Sequence, residues 1–267
     1  MSAFLEIIRM HFKVFIQYKW VYVLTLVIHP VILLINVALF SSIYAYNHAQ
    51  LIKGYTLDQM VWYFTAVSFI AVFVWNYTDQ RISNRILTGE LTIDLLRPLS
   101  LFRFELGNAM ALRICGVIFE FIPGVVVYSL LYFPKFLTVA AFVKFFILAV
   151  TAFIIYYLFS FLLGLSAFVI KSNTAIIDVR VAIMSIIGGS IIPLEFYPGW
   201  LNTLLDFLPF KYIFYWPVQF FLNKNSVQGL EPMIRIFLIQ WLWIGILYFL
   251  CQFLWKKAVK KFCAVGG

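Results

Sequence analysis

Charge is what this sequence has least of. Asp, Glu, Lys and Arg make up 12% of its 267 residues, about half of what a soluble domain needs to meet water. Cysteine is scarce: Cys115, Cys251 and Cys263 are odd in number and far apart, which fits neither a disulfide framework nor a metal site. His11, His29 and His48 are scattered and no H-E-x-x-H occurs, so a zinc site is not expected. No G-x-x-x-x-G-K-[ST] is present to hold nucleotide phosphates, and no G-x-S-x-G to present a nucleophile. No carboxylate or histidine cluster at a common membrane depth points to an intramembrane enzyme. Nothing reads as a cleavable secretion signal, because the first long apolar run is too long and no small-residue cleavage site follows it. There is no internal repeat and no linker, and the longest hydrophilic stretch is residues 79–103, so the chain is expected to be a single domain, 1–267, with no soluble part.

What is present is apolar mass. Hydrophobic residues are 64% of the chain and aromatics 20%, with mean hydropathy +0.98. Thirty Phe, fifteen Tyr and eight Trp exceed what one water-soluble core can hide, but suit a surface that faces lipid. The expected fold class is therefore all-α: a polytopic membrane protein. At about twenty apolar residues per crossing, six spans are expected at residues 21–43, 58–77, 106–133, 145–170, 175–192 and 233–255. Residues 3–18 alternate apolar and basic faces at helical spacing and read as a helix lying in the interface. Most of the 20 Lys and Arg fall at the N-terminus, in the loop after span two, between spans four and five, and in the C-terminal tail. By the positive-inside rule both termini are cytoplasmic. The same rule accounts for the net charge of +9 without a nucleic-acid partner.

Three features stand out. The stretch 79–103 carries Arg81 and Arg85 one turn apart beside Ile82 and Ile86, broken by Gly89 and stopped by Pro98. It reads either as an interfacial loop or as a rigid knob offered to a cytoplasmic partner. Residues 188–210 contain Gly188, Gly189, Pro193, Pro198, Trp200 and Pro209, too broken for a span and too apolar for a solvated loop. Such backbone is tolerated at membrane depth only under protein or water, so it is expected to dip back into the outer leaflet, an aromatic belt being the alternative. Lastly, His29, Asn36 and Glu120 are isolated polar residues inside spans. An intramembrane carboxylate is a functional hypothesis by default; for Glu120 a structural ion pair weighs equally, and for His29 an interhelical hydrogen bond is the preferred reading.

The chain resembles the ABC-2 type permeases, the six-helix membrane subunits of ATP-binding cassette exporters, in their short bacterial branch without a fused ATPase. The matching residues are Gly89-Glu90 leading to Leu95-Leu96-Arg97-Pro98, and Gly188-Gly189 with Ile192-Pro193, Pro198, Trp200-Leu201 and Leu208-Pro209-Phe210. The resemblance implies an elbow helix at 3–18, a coupling helix at 79–98 and an outer re-entrant hairpin at 193–221. It implies ATPase-coupling roles for Arg81, Ile82, Arg85, Ile86, Gly89, Glu90, Arg97 and Pro98. It further implies two copies of a separate P-loop ATPase, which would bind ATP and magnesium, and a second permease, identical or similar. This chain itself is expected to bind no cofactor. Export of a hydrophobic or amphipathic drug, peptide or lipid-like substrate across a bacterial cytoplasmic membrane is the expected activity. An ion-coupled secondary transporter using Glu120, or a polytopic lipid-modifying enzyme, are the alternatives.

Overall fold

A computed structural model describes residues 2–17, 19–96 and 100–265. The described residues form helices joined by turns and irregular segments, with one isolated bridge between Ile52 and Tyr55 and no strand. In chain order the helices are α1 (Ser2–Gln17), α2 (Lys19–Tyr46), α3 (Leu57–Val74), α4 (Thr78–Thr88), α5 (Leu91–Leu95), α6 (Leu101–Gly116), α7 (Ile122–Leu131), α8 (Val139–Leu165), α9 (Ala167–Ile170), α10 (Asn173–Ala182), α11 (Gly199–Asp206), α12 (Tyr215–Phe221) and α13 (Glu231–Val265). Wide π turns at Val117–Phe121 and Ile183–Ile187 join α6 to α7 and extend α10. The first sits just before Pro123, which lacks an N–H and would clash in a regular turn; the register slip absorbs it.

Helix starts follow local chemistry. Thr56 and Gln59 form a reciprocal capping box on α3, each side chain accepting the other's backbone N–H at 3.2 Å. Thr138 caps α8, Ser100 caps α6 and Ser172 caps α10 through their hydroxyl oxygens. Among the described residues, four stretches are long and apolar enough to cross a membrane: Leu57–Val74, Leu101–Leu131, Val139–Ile170 and Glu231–Lys260. α2 has 28 residues, about 42 Å of rise, and within it Pro30–Tyr46 forms a shorter apolar stretch. α8 begins at Val139, ahead of the expected start of the fourth span at residue 145. The helix expected to run to residue 192 ends at Ile187. The cause is local: a Cβ on Gly188 would lie 2.6 Å from the Met184 carbonyl oxygen, and Gly189 turns into the left-handed region at φ 75°.

α8 is the hub, with α3, α4, α12 and α13 packed around it. Its inner face joins a stack of edge-on aromatics, with Phe73 4.8 Å from Phe121, Phe145 5.2 Å from Phe221 and Phe69 6.0 Å from Phe221. Buried polar groups are bonded across helices. Gln240 of α13 donates to Leu148 O and Tyr212 O at 3.2 and 2.9 Å and accepts from the Thr151 hydroxyl, tying α8, α13 and the segment before α12 together. α1 packs on α6 and leaves Leu5, Met10, Phe12, Val14 and Ile16 exposed.

Candidate coupling site and the opposite end

α4 is held on three sides. Ile82 is fully buried and sits over Gly164 of α8, where an added Cβ would meet the Ile82 Cβ at 2.8 Å and the Asp79 Cα at 3.2 Å. Only glycine lets the two helices come this close. On the α10 side, Asp79 and Arg180 are both buried and pair at 2.8 Å. Arg180 also donates to Asn76 O at 2.9 Å, and its guanidinium lies 5.2 and 5.8 Å from the rings of Trp75 and Tyr77. Burial pushes the Asp79 carboxyl above the usual range, and Arg180 opposes that rise. The Ser83 hydroxyl donates to Asn173 Oδ1, and Asn173 Nδ2 donates to Asn84 Oδ1 at 2.8 Å.

On the α6 side, Arg81 Nε donates to Glu105 Oε2 at 2.6 Å. Arg85 bonds Asp94 Oδ2 at 2.7 Å, lies 3.4 Å from Glu105 Oε1, and stands over the ring of Phe104 at 5.3 Å. The sequence singled out Arg81, Ile82 and Arg85; the structure turns all three into the chain's own packing, with Ile86 half-buried beside them. Gly89 ends α4 in the left-handed region at φ 79°. What projects is the turn beyond: Leu87, Thr88, Gly89, Glu90, Thr92, Ile93 and Leu96 are exposed, Leu96 at 87%. Arg97 and Pro98 lie outside the described residues.

The opposite end carries a second polar network that the sequence did not flag. After Gly189, whose carbonyl accepts from the Tyr63 hydroxyl, buried Pro193 leads into a tight turn, Leu194–Phe196. Glu195 in that turn accepts from the hydroxyls of Tyr55 and Tyr215, each at 2.9 Å. Gln219 donates to the Tyr55 oxygen at 2.7 Å. Lys224 lies 3.6 Å from Glu195 and 3.2 Å above the Tyr55 ring. Burial pushes the Lys224 ammonium below its usual value while Glu195 pulls it back. Pro198 starts α11, Trp200 on it is 71% exposed, and buried Pro209 opens the turn before α12. The signal for Glu195 was a lone carboxylate in an aromatic, otherwise apolar stretch. For Arg180 it was a cation inside an expected span.

Asn36 lines a cavity of about 260 Å³ between α2, α3 and α7, with Thr65, Ser68, Tyr128 and Ser190 as its other polar groups. Glu120 is on the π turn, half-buried, with Arg113 the charge that acts on it; Arg113 in turn donates to Val72 O at 2.9 Å. The His29 side chain lies outside the described residues. Among the described residues no group of His, Cys, Asp and Glu could hold a metal ion.

A chain whose described residues are all-helical and include four membrane-length apolar helices is a multi-pass integral membrane protein. Residues 32–266 match the family described as ABC-2 family transporter protein, and the chain belongs to that family. The family is a transport component that works with ATPase partners in ABC transporters. Compared with the curated proteins, the chain has no match.

Proposed function

We propose that this chain is the permease subunit of a bacterial ABC exporter, one domain that crosses the cytoplasmic membrane six times with both termini inside. In this reading the turn formed by Leu87, Glu90, Ile93 and Leu96 seats in a groove of a separate P-loop ATPase, present in two copies with their ATP and magnesium. A second permease, identical or similar, completes the complex. The observation that carries the proposal is the mounting of α4. Ion pairs and a glycine contact bind it to α6, α8 and α10, while its far end presents apolar side chains to the surroundings. A rigid lever with a bare apolar tip suits transmission of ATPase closure into the bundle. Arg81, Ile82 and Arg85 then act by holding the lever, and Glu90 by touching the partner.

The segment 193–221 is read as a re-entrant hairpin that closes the outer end, latched by Glu195 to Tyr55 and Tyr215. The cavity beside Asn36 is lined by hydroxyls, one amide and apolar groups without a charged side chain, which suits an uncharged or weakly amphipathic cargo.

The experiment is co-purification from the native host. Wild type should retain a P-loop ATPase, and Leu87→Asp with Ile93→Asp should lose it while eluting at the wild-type volume. Equal capture by that double variant sinks the docking assignment. Export by Glu120→Gln at the wild-type rate, with the proton gradient collapsed and ATP supplied, separates this reading from ion-coupled transport.

A further inference from the structure

Where α13 begins, an open cavity of about 530 Å³ lies between its first turns and the segment that carries α11 and α12. Its α13 wall is graded: Glu231 at the helix start, Arg235 one turn in, then Ile236 and Ile239. Tyr212 and Trp216 face it from the other side, the two residue types favoured at a membrane–water interface. Glu231 and Arg235 are exposed, and neither side chain makes a hydrogen bond or ion pair among the described residues. Oppositely charged residues at this spacing on a helix are near enough to pair, and these two do not. Asp206, across the cavity, is already bonded to Lys211, whose ammonium stands 5.5 Å from the Trp216 ring.

We propose that this cavity seats a membrane phospholipid with a primary ammonium headgroup. The order of chemistry along α13 is the order along such a lipid. The ammonium lies nearest water, against Glu231. The phosphate lies one step deeper, against Arg235, and one helical turn, about 5.4 Å, is on the order of its reach from the ammonium. The acyl chains follow Ile236 and Ile239 and continue along Leu238 and Leu242, which are both 61% exposed. An anionic headgroup without an ammonium would leave Glu231 facing a like charge. A free phosphate would make no use of the apolar lower wall. The proposal needs α13 to cross the membrane and does not depend on what the protein transports.

The test uses the purified full-length chain in mixed micelles of equimolar phosphatidylethanolamine and phosphatidylglycerol with identical acyl chains, read by native mass spectrometry. Wild type should retain phosphatidylethanolamine over phosphatidylglycerol by about tenfold, the order of one charge-assisted hydrogen bond. Glu231→Lys should reverse the preference, and Arg235→Glu should lose both lipids. Both positions are exposed, so an unchanged elution volume certifies the fold. Equal retention of the two lipids by wild type, or an unaltered preference in Glu231→Lys, overturns the proposal. Excess soluble phosphoethanolamine should leave the bound lipid in place; its displacement would assign the site to a small zwitterion instead.

Discussion

At the scale of single residues, the charges around α4 stand in pairs that bind one helix to another. The Asp79–Arg180 pair is buried at both ends, so removing one partner strands the other. Arg180→Ala is expected to cost about 3–5 kcal/mol, the usual penalty for breaking a buried pair, read as a lowered thermal midpoint in detergent. Replacing both, Asp79→Leu with Arg180→Met, should recover most of that loss because apolar residues of similar volume often serve as well. If the pair transmits motion, ATP-driven transport should stay low in the double variant despite the recovered midpoint. Lys224 gives a pH test. Its pKa is lowered on folding, so the folded state binds fewer protons than the unfolded one. Stability relative to Lys224→Met should therefore rise with pH between the lowered value and about 10.4, and stay flat below it. A flat difference up to pH 10.5 means that Lys224 keeps its ordinary affinity for protons. None of these pairings was legible in the sequence. Arg81 and Arg85 announced themselves by spacing, but their carboxylates, Glu105 and Asp94, arrive through the fold.

At the scale of elements, the length of apolar runs and the helical period located most of the long helices, and the physics explains where they failed. The sequence showed that the stretch beginning at residue 79 would carry an apolar stripe, because Ile82 and Ile86 recur one turn apart. A period says that one face is buried, not what buries it. The burying partner is α8, and the enabling residue is Gly164, a glycine in a long apolar run that carries no sequence signal for the contact. Gly164→Ala is expected to push α4 off α8, at about 1–3 kcal/mol for overpacking, and to lower the coupling of ATPase activity to transport more than it lowers ATPase binding. Ile82→Gly in the same chain removes both atoms the new methyl would strike, the Ile82 Cβ and Cγ2 at 2.8 and 3.1 Å, and should restore part of the coupling. If the single variant couples normally, the close approach of α4 and α8 has no part in transmission. The π turn before Pro123 and the early end of α10 were equally hidden. Hydropathy is blind to a register slip, and it read through Gly188-Gly189 because the residues beyond are apolar.

At the scale of the whole molecule, the class was legible from composition, since so little charge cannot clothe a soluble surface. The number of crossings rests on the element that hydropathy read least well. α10 and its π turn have 10 and 5 residues, about 22 Å of rise, against a hydrocarbon core of about 30 Å. The chain can still complete the crossing if residues 188–194 continue as covered, non-helical backbone; Gly188, Gly189, Pro193 and Leu194 are buried, and between them Ile191 and Ile192 expose apolar side chains. Cysteine labelling decides it. Cys115 and Cys251 are buried; with all three native cysteines replaced by serine, single cysteines can be placed at the exposed positions Lys53, Glu90, Lys171 and Gln228. A membrane-impermeant maleimide should label Lys53→Cys and Gln228→Cys in intact cells, and Glu90→Cys and Lys171→Cys only after permeabilisation. Lys171 and Gln228 flank the short helix, so they report on that crossing alone. If both react from the same side, α10 does not cross, the 193–221 hairpin lies on the cytoplasmic face, and the latch around Glu195 cannot be an outer gate.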